Sequence, residues 1–169
     1  MKLNQIMMLL ITFVLTSCAS AQLTPSGALQ GPIPVLQVFD GDTVELPFEQ
    51  GEERVRFIGI DTPETYPETE PFGPEASAFT EALLSGREVY VEIGVEERDR
   101  HGRVLAYLYL EDPAGDWQSG SKNFRQVNLE VVRAGLADTL TIPPNSQFSE
   151  MYKQAAREAR AEGRGMWGN

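Results

Sequence analysis

Chemistry-bearing residues concentrate in the run Arg54-Val55-Arg56-Phe57-Ile58-Gly59-Ile60-Asp61-Thr62-Pro63-Glu64-Thr65. Arginines stand at one end of an apolar, β-branched stretch and carboxylates at the other. Guanidinium groups match phosphate oxygens in a bidentate fork; carboxylates hold hard cations or accept protons. The apolar run reads as a strand. Pro63 ends it, since proline donates nothing to a ladder. Asp61 and Glu64 therefore fall where a strand breaks into a loop, a common place for chemistry. Along a straight strand the Cα atoms of Arg56 and Asp61 would lie about 16 Å apart and face opposite ways. Both can serve one site only if the strand bends, and Gly59 is the position that tolerates a bulge. Taken alone, the stretch is equally an exposed strand end with an Asp/Pro turn.

Two further clusters could join it. Asp40-Gly41-Asp42-Thr43 is a hairpin turn by composition, and its second aspartate adds a carboxylate at the same loop. Asp42 and Asp61 could supply two hard oxygen ligands, with carbonyls and water completing the shell. That set suits Ca²⁺ and leaves Mg²⁺ open. Arg98-Asp99-Arg100-His101-Gly102-Arg103 puts three arginines in six residues. Such a run is most often a solvated hairpin; with Arg56 it could also form a local phosphate-binding patch. Beside a cation and arginines, Glu64 could take a proton from water; otherwise it is a plain loop carboxylate. Other chemistries have no foothold: there is no G-x-S-x-G, no Gly-rich phosphate loop ending in Lys-Ser/Thr, no H-E-x-x-H and no C-x-x-C.

The elements that must position these residues follow in order. Val35 to Phe39 and Thr43 to Leu46 read as strands around the Asp-Gly turn, and the Arg54 run is a third. Gly73-Pro74-Glu75 opens a helix reaching Leu84, with Gly86 just past its end. Glu88 to Val95 and Val104 to Leu110 are strands four and five. Asp112 to Lys122 is a polar insertion, a protruding loop or hairpin. Val127 to Ala134 is a helix stopped by Gly135. A last helix starts at Ser146 or Ser149 and runs to about Arg160, with Met151, Tyr152, Ala155 and Ala159 on one stripe. The order β-β-β-α-β-β-α-α points to an α+β fold: a five-stranded Greek-key barrel of the OB type with three helices.

The chain has 169 residues, 41% of them apolar, with 14 Lys+Arg against 25 Asp+Glu. This is about one domain. A net charge of −11 argues against a broadly basic nucleic-acid surface, so any polyanion site must be local. One histidine, His101, excludes a His-rich zinc site. The N-terminus is a targeting segment, residues 1–21: Lys2 precedes an apolar run from Ile6 to Val14, too short for a permanent span. Leu15-Thr16-Ser17-Cys18 reads as a bacterial lipobox in which Cys18, the sole cysteine, becomes lipidated and anchors the protein to a membrane. Ala19-Ser20-Ala21 competes as an ordinary cleavage site. Both place the mature protein outside the cytoplasm, in the envelope or secreted. Residues 22–34, rich in Pro, Gly, Ser and Thr, read as a flexible tether, and 35–169 as the folded domain.

The chain resembles the staphylococcal-nuclease (thermonuclease) family. The matching pieces are Val38-Phe39-Asp40-Gly41-Asp42-Thr43, Arg56 with Asp61-Thr62-Pro63-Glu64-Thr65, Gly73-Pro74-Glu75-Ala76-Ser77-Ala78-Phe79, Asp99-Arg100-His101-Gly102-Arg103 with Leu105-Ala106-Tyr107, Val132-Arg133-Ala134-Gly135-Leu136-Ala137 and Gly165-Met166-Trp167. The resemblance implies an OB-fold nuclease acting on DNA or RNA and leaving 3′-phosphate ends. It implies Ca²⁺ held by Asp42, Asp61 and the Thr62 carbonyl, with Asp40 as a neighbour behind them. It also implies Arg56 and Arg103 on the scissile phosphate and Glu64 as general base. The family's phosphate-proximal Lys-Tyr pair is Arg100-His101 here, a candidate substrate contact. Its later tyrosines fall on Thr141 and Pro143, which weakens stacking on a base. A catalytically weak OB module that binds nucleic acid or protein, and a phosphodiesterase for small substrates, are the alternatives. No protein partner is implied, and a monomer is expected.

Overall fold

The computed structural model describes residues 23–168. The targeting segment, its two cleavage sites and Cys18 lie outside the described residues. The strands are β1 (Gln30–Pro34), β2 (Gln37–Val38), β3 (Thr43–Phe48), β4 (Gly51–Phe57), β5 (Ile60–Asp61), β6 (Glu88–Arg98), β7 (Val104–Glu111), β8 (Trp117–Ser119), β9 (Lys122–Gln126) and β10 (Asp138–Thr139). The helices are α1 (Gly73–Leu84), α2 (Val127–Arg133) and α3 (Ser149–Ala161), followed by a 3-10 turn, Gly165–Trp167.

The main sheet runs β1-β6-β7-β4-β3-β2. Its two edges belong to one bent segment. Val35 N–H donates to the Arg87 carbonyl and Leu36 N–H to the Glu45 carbonyl, so β1 and β2 are one strand that finishes both ends of the sheet. Counted so, five strands form the ring, in the order first, second, third, fifth, fourth. β4 pairs with β7 in parallel, Val55 opposite Val104, and the other ring pairings are antiparallel. The fold is the expected α+β arrangement of an OB-type barrel with three helices. Val44, Leu46, Val55, Phe57, Val91, Ala106 and Leu108 point inward and are buried. Alternation along β4 turns Val55 and Phe57 in and leaves Arg54 and Arg56 outside.

Helix α1 keeps the boundaries its punctuation indicates, with Pro74 in the first turn. α3 begins at Ser149 and buries Tyr152, Ala155, Ala156 and Ala159. A polar chain threads the interior. Tyr152 Oη–H donates to Gln126 Oε1 (2.8 Å), Gln126 Nε2 donates to Tyr109 Oη (2.9 Å), and Tyr109 Oη–H donates to Glu92 Oε2 (2.7 Å). Each buried polar group on this path thereby has a partner.

Three expectations need correction. The stretch read as a flexible tether is bound to the barrel from Leu23 onward. β1 pairs with β6, the Leu23 carbonyl accepts the Gln118 N–H at 2.7 Å, and the N–H groups of Ser26 and Gly27 donate to Glu92 Oε1 at 3.1 and 2.9 Å. Composition missed this because the partners lie more than fifty residues away: β6 offers an open edge, and buried Glu92 requires donors. The Asp112–Lys122 insertion takes the hairpin form, one of its two expected forms, but it is not polar and solvated throughout. It forms the β8–β9 hairpin and buries Trp117 completely, edge-on to Tyr109 and Phe148 with centroids 5.5 and 5.0 Å away. The fourth strand runs on to Arg98, which shortens the charged turn to Asp99–Arg103.

Candidate active site

After Phe57 the chain turns through Ile58 and Gly59 and resumes as β5. Gly59 has φ +85°, a region that side-chain-bearing residues rarely adopt. A Cβ there would also meet the Tyr152 ring at 2.5 Å. This bend brings Asp61 back beside Arg56: Arg56 Nη2 donates to Asp61 Oδ1 at 2.6 Å. Nη1 donates to the carbonyls of Phe57 and Ile60, both at 2.8 Å, and Nε pairs with Asp42 Oδ1 at 3.0 Å. The Arg56 guanidinium is thus held by two carboxylates and two carbonyls.

Asp42 reaches Arg56 because β3 and β4 are neighbours, with Thr43 opposite Arg56. The Asp40 carboxylate accepts the Asp42 N–H at 3.0 Å, which shapes the turn. Asp42 is buried. Its Oδ2 accepts the Thr62 N–H (2.9 Å) and hydroxyl (3.0 Å), and its Oδ1 accepts the Thr43 hydroxyl (3.1 Å). Burial pushes its carboxyl up to about 6, against the pull of Arg56; the charge of Asp40 adds to the rise.

Glu64 sits on the loop between β5 and α1. Its N–H donates to Glu70 Oε2 (3.0 Å), and its carbonyl accepts the Glu70 N–H (2.9 Å). Helix α1 starts so close that a Cβ on Gly73 would meet the Glu64 carbonyl oxygen at 2.4 Å. Partial burial raises the Glu64 carboxyl above its usual range; Asp40, Asp61 and Glu70 add to that rise while Arg56 opposes it.

The turn between β6 and β7 brings the last arginines. Arg103 Nε donates to Asp99 Oδ2 at 2.7 Å. Arg100 Nε donates to His101 Nε2 at 3.0 Å, and Arg98 is taken by Glu53. A cleft of about 500 Å³ is lined by Arg56, Asp61, Glu64, Asp99, Arg100, His101 and Arg103. Asp40, Asp42 and Thr62 are not on its lining. Asp42 and Thr62 pack behind Arg56, joined to it through the Asp42 carboxylate.

Oxygen donors of the kind a hard divalent cation requires are present here. Asp61 is half exposed, with one oxygen engaged by Arg56. Arg56 pairs with two carboxylates, Asp42 and Asp61, and burial is the main cause that raises Asp42 and Glu64, with neighbouring carboxylates adding to it. No cluster of three or more His, Cys, Asp or Glu forms a ready cage among the described residues. A hard divalent cation here would take Asp42 and Asp61, the two carboxylates beside Arg56, and draw the rest of its shell from carbonyl oxygens and water.

The residue patterns did not reveal the apolar side of the cleft. Leu140 and Ile142, 38% and 57% exposed, line it together with Leu105 and Asn145. The one available signal was two aliphatic residues in a Thr- and Pro-rich stretch. Asn145 secures that stretch to β6: its Oδ1 accepts the Glu96 N–H at 3.0 Å and its Nδ2 donates to the Glu96 carbonyl at 2.8 Å.

The family model described as "Staphylococcal nuclease homologue" matches residues 54–169. The chain belongs to the staphylococcal nuclease family. Among its relatives is the thermonuclease of Staphylococcus intermedius, 36% identical over 136 residues, which covers 79% of this chain and 74% of that protein. The thermonuclease of Staphylococcus hyicus is 35% identical over 147 residues, covering 85% and 80%. Endonuclease YhcR of Bacillus subtilis is 34% identical over 143 residues, 78% of this chain but 11% of that protein. As a member of the staphylococcal nuclease family, the chain is a phosphodiester hydrolase with a nucleic-acid substrate. The family match starts at Arg54, so the Asp40–Thr43 loop joins the site on geometry, through the contacts of Asp42 with Arg56 and Thr62.

Proposed function

We propose that this protein is a Ca²⁺-dependent nuclease acting on DNA or RNA outside the cytoplasm, with Glu64 as general base and Arg56 and Arg103 as the phosphate-stabilising pair. The observation that carries the reading is their convergence: one carboxylate and two guanidinium groups line a single cleft, with Asp42 and Asp61 against one of the arginines. Asp42, Asp61 and the Thr62 carbonyl would hold the cation, with Asp40 shaping the loop behind them. When bound, the cation supplies positive charge to the phosphoryl oxygens as a Lewis acid.

The chain's own residues do the rest. The Glu64 carboxylate takes a proton from water. The oxygen attacks phosphorus in line, and the P–O5′ bond breaks. The leaving 5′ oxygen takes a proton from solvent, and the phosphate stays on the 3′ side. A carboxyl held above its usual range by partial burial is a better base than a free glutamate. Arg56 and Arg103 offset the charge that grows on the equatorial oxygens, a large contribution when the donors are already in place. Arg100 and His101 extend the polar edge of the cleft towards the polymer.

The test is cleavage of single-stranded DNA by the domain from Gln22 onward, in Ca²⁺ and then in EGTA. Cutting that requires Ca²⁺ is expected. A folded domain that cuts under neither condition would overturn the reading in favour of a binding module. Glu64→Gln should lower turnover by about 10³-fold or more with fold and Ca²⁺ binding kept; near-normal turnover removes Glu64 as base. Lipidation at Cys18 is part of the same proposal. The full-length protein should fractionate with membranes, and Cys18→Ser should release it, while a soluble wild type favours cleavage after Ala21.

A further inference from the structure

The two arginines of the site are held in different ways. Arg56 has all three of its nitrogens engaged by protein oxygens. Arg103 is held at Nε alone, by Asp99 Oδ2; its two Nη groups make no hydrogen bond to the described residues. Asp99 is fixed in turn. Its Oδ1 accepts the backbone N–H groups of His101 (2.9 Å) and Arg103 (3.0 Å), and its own N–H donates to the Arg103 carbonyl at 3.0 Å. The Asp99 side chain is largely covered, while Arg103 is about one-third exposed.

A guanidinium gripped at Nε keeps its Nη edge free, and that edge makes the bidentate contact with a phosphate. Clamping also removes rotamer freedom that a substrate would otherwise have to freeze. The clamp has a second consequence. Glu64 and Asp61 line the same cleft, and an unclamped arginine could fold onto either. Pairing with Glu64 would remove the phosphate donor and quench the base together.

We propose that Asp99 is a positioning residue of this nuclease: it aims the Nη edge of Arg103 at the scissile phosphate and withholds that guanidinium from Glu64. The proposal rests on the reading of Arg103 as a phosphate ligand.

The experiment is a double-mutant cycle on DNA cleavage with Asp99→Asn, Arg103→Ala and the pair, with thermal unfolding run on every variant. Asparagine keeps an oxygen for the two backbone N–H groups, so the turn has what it needs to form. Asp99→Asn should lower kcat/KM by about 100-fold, the scale of a misplaced catalytic group, mostly in kcat. In the Arg103→Ala background the same change should cost less than about 3-fold, since nothing remains to aim. Equal losses in both backgrounds would overturn the proposal and make Asp99 a turn residue. So would near-normal activity of Asp99→Asn, or failure of both Asp99→Asn and Asp99→Ser to fold. If Arg103→Ala itself cleaves normally, the phosphate role of Arg103 fails first, and that result is separate from the other three.

Discussion

Arg56 and Arg103 reach one cleft from two kinds of scaffold. Arg56 leaves a barrel strand just before its bend and is 11% exposed, with its nitrogens committed to Asp42, Asp61 and two carbonyls. Arg103 ends a five-residue turn, is 31% exposed and has one carboxylate partner. The same side chain is a keystone in the first place and a tool in the second. On the proposed roles, folding and chemistry draw on the same contacts around Arg56 and separate around Arg103.

That contrast can be broken, and the largest effect comes first. Arg56→Met leaves Asp42 buried without its cation. Removing one member of a buried pair costs about 3–5 kcal/mol, a fall of roughly 10 °C in Tm for a domain of this size, together with lost cleavage. Thermal unfolding without metal reads it, and an unchanged Tm would erase the distinction. Arg103→Met should lose about 100-fold or more in kcat while stability shifts by less than about 1 kcal/mol, since a part-exposed pair contributes little; a large drop in Tm would put Arg103 in the same class as Arg56.

The smallest effect sharpens the comparison through pH. Burial works against the Asp99 carboxylate, but hydrogen bonds from the Arg103 side chain and from the Arg103 and His101 backbones outweigh it and hold Asp99 below its usual range. A carboxyl depressed in the folded state adds stability above its unfolded value, near pH 4, and loses it as pH falls through the folded one. The Tm gap between the wild type and Asp99→Asn should therefore be present at about pH 5 and narrow towards about pH 3. A gap that widens on acidification would contradict the clamp.

What was legible in the chain was local. Glycine between two chemistry-bearing ends of a strand marked where a bend would be tolerated if both ends served one site, and the bend is there, with Arg56 and Asp61 in contact. Proline and glycine punctuation placed α1, and apolar runs and alternation placed the second to fifth ring strands. What was not legible depended on partners distant in sequence. β1 looked like linker because Pro32 and Pro34 obscure a strand whose pairing is with β6. Trp117 sat in a polar insertion, and the partners that bury it, Tyr109 and Phe148 among them, lie elsewhere in the chain. Leu140 and Ile142 carry no chemistry of their own, so nothing distinguished them from core residues until the cleft placed them on its lining.

Under the proposed lipidation of Cys18, the docked N-terminal segment would also set a leash. Among the described residues its first contact is that of Leu23 with Gln118. An anchor at Cys18 would leave five chain steps to that point, about 17 Å at full extension. A lipidated enzyme on so short a leash cannot roam. It would work as a fixed blade at the membrane surface, cutting nucleic acid brought to it, and lengthening the leash would enlarge the volume it can sweep.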